Sequence, residues 1–179
     1  MIFTATPLAG VFLITSERKQ DVRGFFARTW CEREAVAHGL NPRVAQCATS
    51  YNRKQGTLRG LHYQVAPYAE AKLVRCIAGA IYDVALDLRP DSPTFAQHLA
   101  VELTAENRQM LYIPEGLAHG FQTLVDDSEV CYQMSEFHMP QFARGVRYSD
   151  PAFGIRWPIA EPVILERDAS YPDFALVPG

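Results

Sequence analysis

Several side chains in this sequence have the chemistry to move a proton at carbon. His62 lies in Leu58-Arg59-Gly60-Leu61-His62-Tyr63-Gln64. An imidazole is the natural general base at physiological pH. Arg59, three residues earlier, can stabilise the negative charge that develops when a proton leaves a carbon beside a carbonyl. A lone histidine is as readily a core residue bonded to backbone, with a surface arginine nearby. The density of Arg-Gly-Leu-His-Tyr-Gln, and the partners further along the chain, favour chemistry.

Lys72, in Glu70-Ala71-Lys72-Leu73-Val74-Arg75, alternates with apolar residues and can project inward, where it needs a counter-charge or a bound anion. As a strand-edge lysine it would instead be solvated. Asp83 and Asp87 lie an even number of residues apart, on one face of a strand, and an aspartate on an apolar strand is costly unless paired. His119 is the candidate partner of Asp83. Asp168 can hydrogen-bond one nitrogen of His62 and fix its tautomer, provided that the C-terminal segment folds back over the site. Tyr132 can supply the acid that returns a proton from the opposite face, although a strand tyrosine is more often packing. Arg23, followed by Phe25 and Phe26, pairs a planar cation with aromatic rings, a combination that suits a phosphate and a stacked base. Arg144 reads similarly; the alternative for Arg23 is an amphipathic hairpin edge and for Arg144 a solvated loop.

A single domain spanning 1–179 has length enough to bury a substantial core. The composition, 48% hydrophobic and 21% charged with a net charge of −3, lacks the basic face of a nucleic-acid binder. No apolar run approaches a membrane span, and the first residues do not resemble a cleavable leader. Cys31, Cys47, Cys76 and Cys131 form no C-x-x-C pair, so the expectation is reduced cysteines in a cytoplasmic protein. Short alternating segments at 11–15, 72–77, 80–89 and 96–103, punctuated by turn signals, predict an all-β architecture. A helix is expected at 31–38, closed by Gly39. The elements that must position the candidate residues are therefore strands of a jelly-roll barrel with a few short helices, open to a ligand at one mouth.

Gly56-x5-His62-x-Gln64 and Pro114-x-Gly116-x-x-His119 resemble the paired motifs of metal-binding cupin barrels. Gln64 stands where the second histidine would be, which weakens a metal site and leaves His62 free. A metal-dependent cupin oxygenase or isomerase using His62, Glu70 and His119 remains the alternative reading. A non-catalytic sugar-nucleotide binding module is a third, disfavoured because mere binding needs no acid–base pair.

Taken together, Asp-x-Arg-Gly-Phe-Phe at 21–26, the block at 56–64, Lys-Leu-Val-Arg-Cys-Ile-Ala-Gly at 72–79, Tyr-Asp-Val-Ala-Leu-Asp-Leu-Arg at 82–89, Ser-Pro-Thr-Phe at 92–95, Ile-Pro-Glu-Gly-Leu-Ala-His-Gly-Phe at 113–121 and Gly-Ile-Arg-Trp-Pro at 154–158 resemble the dTDP-4-dehydrorhamnose 3,5-epimerase family. The resemblance implies a jelly-roll homodimer that needs no metal or other cofactor and acts on a nucleotide-diphosphate 4-keto-6-deoxy sugar. It implies His62 as the base supported by Asp168, Arg59 and Lys72 steadying the enolate, and Tyr132 reprotonating from the other side. Arg23 and Phe26 belong by resemblance to the nucleotide-diphosphate site, with Arg23 reaching a neighbouring pocket, and Gln46, His119 and Arg144 are further substrate-binding candidates. Departures fall at Arg28, where many members have glutamate, at Ala48, where many have asparagine, and at Phe137-His138, which replace a pair of tyrosines. They bear on ligand recognition more than on proton transfer.

Overall fold

Alternating apolar and polar residues build eleven strands into two facing antiparallel sheets. The structure is a computed structural model and describes residues 1–175. In spatial order the first sheet runs β1 (Ile2–Ala5), β2 (Phe12–Thr15), β10 (Gln109–Ile113), β7 (Lys72–Ala78), β12 (Ser128–Met134) and β5 (Gln46–Asn52). The second runs β13 (Ala143–Gly145), β6 (Leu58–Gln64), β11 (Leu117–Thr123), β8 (Ala80–Asp87) and β9 (His98–Thr104). A separate hairpin, β3 (Arg18–Asp21) with β4 (Gly24–Ala27), belongs to neither sheet. Among the described residues, helices are confined to α1 (Glu32–Ala37), α2 (Glu166–Ala169) and one 3-10 turn at Pro140–Phe142. The architecture is the expected cupin-like jelly roll.

Between the sheets lies a core built from one side chain in two along each strand. Val74 and Val130 of the first sheet meet Ile81, Leu103 and Phe121 of the second. Each such side chain contributes about 1.5–3 kcal/mol by leaving water. Two smaller clusters cover the outer faces. Ala35 of α1 and Leu40 pack on Ile14, Leu73, Met110 and Tyr112, and Gly39, at φ +71, ends the helix as expected. The C-terminal stretch packs Phe153 and Trp157 over Leu61, Val84 and Leu86.

The expected strands are found within two residues of their predicted ends. Strand β8 stops at Asp87 because that carboxylate gathers Arg89, Ser92 and Thr94 and turns the chain. Burial pushes the Asp87 carboxyl up, but those bonds outweigh it and hold it at about 2.

The segment after β13 returns across the outer face of the second sheet. Gln122 and Ile159 exchange two hydrogen bonds of 2.9 and 3.0 Å, Val163 pairs with Thr57, and Phe174 N–H donates to Asp150 at 2.6 Å. Those ties deliver α2 to the middle of β6, at Gly60 and His62.

Candidate active site

Arg59 and His62 are an odd number of residues apart, so a regular strand would turn them to opposite faces. Both nevertheless face the interior. Their ladder partners on β11 are Phe121 and His119, and the register shifts between those two. Gly60 lies at the irregularity with φ +122, and a Cβ there would stand 2.5 Å from the Gly120 Cα. Two glycines thus let the backbones approach closely enough to put the cation and the imidazole on one wall.

On that wall His62 stands beside His119. The His62 Nε2 lies 2.9 Å from Asp168 Oδ1, while Gly60 N–H donates to the other carboxylate oxygen at 3.3 Å. Arg167 Nε adds a third bond to Oδ1, at 2.9 Å. Burial pushes the Asp168 carboxyl up, but the bonds from His62, Arg167 and the Gly60 amide hold it down at about 2. An ionised carboxylate only accepts, so Nε2 carries the proton, and in the neutral imidazole Nδ1 is the nitrogen with a free lone pair. The Tyr171 ring stands edge-on to His62 at 6.3 Å and occupies the space over Gly145 that any side chain there would fill. The condition placed on Asp168, that the C-terminal segment fold back, is met.

The facing wall comes from the first sheet. Lys72 shares the inward face of β7 with Val74 and Cys76, and its Nζ bonds Glu70 at 3.1 Å and the His62 carbonyl at 3.2 Å. Tyr132, on the inward face of β12 with Val130, meets the His119 ring edge-on at 6.1 Å. Burial raises the pKa of the Tyr132 phenol far above its ordinary value; Asp83 adds to the rise and Arg59 opposes it. The phenol therefore keeps its proton. His62 and Tyr132 come from the inward faces of different sheets.

The pairing of His119 with Asp83 is found at 2.7 Å, with both side chains buried. Asp83 Oδ2 is buried without a hydrogen-bond partner among the described residues, and its charge acts on the Tyr132 phenol. Arg59 is aimed by Asn52, whose Oδ1 accepts from Nε at 2.7 Å. Sequence reading did not single out Asn52, yet Gln46, Ala48, Ser50 and Asn52 share one face of β5, a period-two signal that pointed to it. It also missed Arg167 and Tyr171; only adjacency to Asp168 marked the first.

Four candidates do not join the cluster. Arg144 pairs with Tyr63 in the ladder, whereas Gly145 pairs with His62, so the arginine lies on the other face of β6, bonded to the Gln141 and Ala143 carbonyls. Arg23 and Phe26 lie on the β3–β4 hairpin with 86% of the arginine side chain and 73% of the phenylalanine exposed, and Arg23 is paired with its neighbour Asp21. Gln46 is at the mouth, its Oε1 accepting from His138 N–H.

The metal alternative lacks its carboxylate, because Glu70 is paired with Lys72 at 3.1 Å. Among the described residues no group of three or more His, Cys, Asp or Glu side chains is placed to hold a metal ion. Nor is any helix among them long and apolar enough to cross a membrane.

Comparison with known proteins agrees with this geometry. The dTDP-4-dehydrorhamnose 3,5-epimerase family is matched over residues 5–175. A protein of that name from Shigella flexneri is 41% identical over 166 residues, covering 91% of this chain and 90% of its own. The crystal structure of the corresponding Elizabethkingia anophelis enzyme superposes with a TM-score of 0.94 at 36% identity, covering 97% of this chain and 96% of its own. A 3,5-epimerase from Legionella pneumophila, solved in complex with dTDP-4-keto-L-rhamnose, gives 0.87 at 35% identity and covers 94% of this chain and 89% of its own. The match runs through β6, β11, β12 and α2, which carry the His62–Asp168 pair and Tyr132, and the chain belongs to the dTDP-4-dehydrorhamnose 3,5-epimerase family.

Proposed function

We propose that this chain epimerises C3 and/or C5 of dTDP-4-dehydro-6-deoxyglucose to give dTDP-4-dehydrorhamnose, using side chains alone. The C4 ketone already acidifies the carbons on either side, so a base, an acid and nearby cations suffice. His62 Nδ1 removes the proton, and Asp168 stabilises the imidazolium through Nε2. Arg59 and Lys72 steady the enolate oxygen. Tyr132 returns a proton to the opposite face, which inverts the carbon. The observation that carries this reading is that imidazole and phenol come from opposite sheets, one held as an acceptor and the other kept protonated.

Arg23 and Phe26 are proposed to serve the nucleotide-diphosphate of a second copy in a homodimer. Supporting this, Val22 at the hairpin tip is fully exposed, and α1 leaves Ile77 and Tyr51 uncovered on the first sheet. A cavity of about 130 Å³ at the hairpin root is lined by Arg18, Arg75 and Arg108, none of which has an ion-pair partner among the described residues. A cytoplasmic location fits the four free thiols.

Proton NMR in deuterated water tests the chemistry. With dTDP-4-dehydro-6-deoxyglucose the C3 or C5 proton signals, or both, are expected to disappear, and His62→Ala to abolish the loss. Full exchange by the His62→Ala protein would remove His62 as the base. Sedimentation of the protein tests the dimer, and a monomer at micromolar concentration would reject it.

A further inference from the structure

We propose that Gln64, which stands where a metal-binding barrel has its second histidine, is a positioning residue that holds residues 136–139 as the rim of the active site. Its geometric part stands on hydrogen bonds alone, and its kinetic consequence rests on the epimerase reading above.

Gln64 is buried on the catalytic strand β6, two residues after His62. Its Nε2 donates to the Tyr68 carbonyl at 2.9 Å and to the Phe137 carbonyl at 3.1 Å, and its Oε1 accepts from Met139 N–H at 2.6 Å. An amide with both ends engaged has one orientation, and no other neutral side chain of this length supplies two donors and an acceptor. On the far side Gln46 of β5 accepts from His138 N–H at 2.5 Å. Arg43 pairs with Glu136 and lies 5.8 Å from the centre of the Phe137 ring.

The segment therefore spans from an edge strand of the first sheet to the catalytic strand of the second, across the gap into which His62, Lys72 and Tyr132 look. Three of its backbone groups are paired by glutamine side chains, and Phe137 N–H by Glu136, in place of a β ladder. The same amide holds Tyr68, in the turn leading to Glu70 and Lys72. Ser135 completes the clasp: its N–H donates to the Ala71 carbonyl, and its hydroxyl accepts from Ala71 N–H at 2.8 Å. One side chain thus ties together the base, the rim that carries Phe137 and His138, and the approach to the cation. Removing it should loosen the ligand's surroundings and leave the His62–Asp168 bond and the Tyr132 phenol in place.

Gln64→Met keeps length and apolar bulk without donors, and Gln64→Glu keeps the acceptor for Met139 but loses both donors. Amide hydrogen exchange of the full chain without ligand is expected to quicken about tenfold in peptides covering 136–142. Peptides from β11 and α2 should keep wild-type protection. With dTDP-4-dehydro-6-deoxyglucose, KM is expected to rise about tenfold with kcat within about threefold of wild type. Unchanged rim exchange in either folded variant overturns the proposal. So does a fall in kcat with unchanged KM, which would mean that Gln64 acts on the base. A quickened rim in a protein whose wild type exchanges no substrate protons would leave the rim assignment standing and reject the epimerase reading instead.

Discussion

Asp168→Asn keeps the shape of the side chain and removes its charge, and the surroundings of Asp168 make the consequence calculable. The carboxylate accepts from His62 Nε2, Arg167 Nε and Gly60 N–H, which are all donors. An amide has only one accepting end. If its oxygen faces His62, its NH2 group is driven against the Gly60 N–H. If the NH2 faces His62, Nε2 must become an acceptor, and the imidazole proton moves to Nδ1, the nitrogen needed as base. Either orientation forfeits a charge-assisted bond worth about 1.5–3 kcal/mol, and each 1.36 kcal/mol is a factor of ten in rate. A fall in kcat of about a hundredfold is therefore expected, with KM within about threefold because Asp168 acts through His62. Deuterium wash-in at the sugar carbons and single-turnover product formation should fall together. A variant with kcat within threefold of wild type would refute the role given to this carboxylate.

Tyr132→Phe is expected to keep exchange of the substrate C–H protons while net epimerisation falls at least about a hundredfold, since the base survives and the opposite-face acid does not; NMR in deuterated water reads both, and normal turnover would remove the phenol from the mechanism. Gly60→Ala puts a methyl 2.5 Å from the Gly120 backbone in a left-handed conformation, so thermal unfolding should show a loss of about 3 kcal/mol or more. Asp87 and Asp168 are both held at about 2, below the ordinary 3.8 of an unfolded aspartate. A carboxyl depressed by folding stabilises fully above its unfolded value and loses that contribution as pH falls through its folded value. Denaturant titrations should therefore lose about 2 kcal/mol per group between pH 4 and pH 2, and Asp168→Asn should show a smaller loss over that range.

The strands, helix α1 and the pairing of His119 with Asp83 were legible because each depends on local pattern: period-two burial, a glycine stop, and a buried charge that demands a partner. Strand alternation alone would have separated Arg59 from His62. Only the Gly60–Gly120 approach, which pairs residues 60 apart in the chain, restores them to one face. Asp168 depended on the long return of the C-terminal segment, which no local pattern encodes. Arg144 stood in a basic, glycine-containing run that looked like a ligand loop, but a one-residue difference in β13 register sets it on the far face. Gln64 was read as a missing ligand; its three hydrogen bonds reach turns whose placement follows from tertiary packing.

A crystal structure with the substrate or an unreactive analogue bound tests the central claim most directly. The account predicts the hexose ring between the two sheets, with His62 Nδ1 and the Tyr132 hydroxyl on opposite faces of the carbon next to the ketone. It also predicts the ketone oxygen within reach of Arg59 or Lys72. A ring with both groups on one face, or a metal ion bonded to His62 and His119 beside it, would contradict the account.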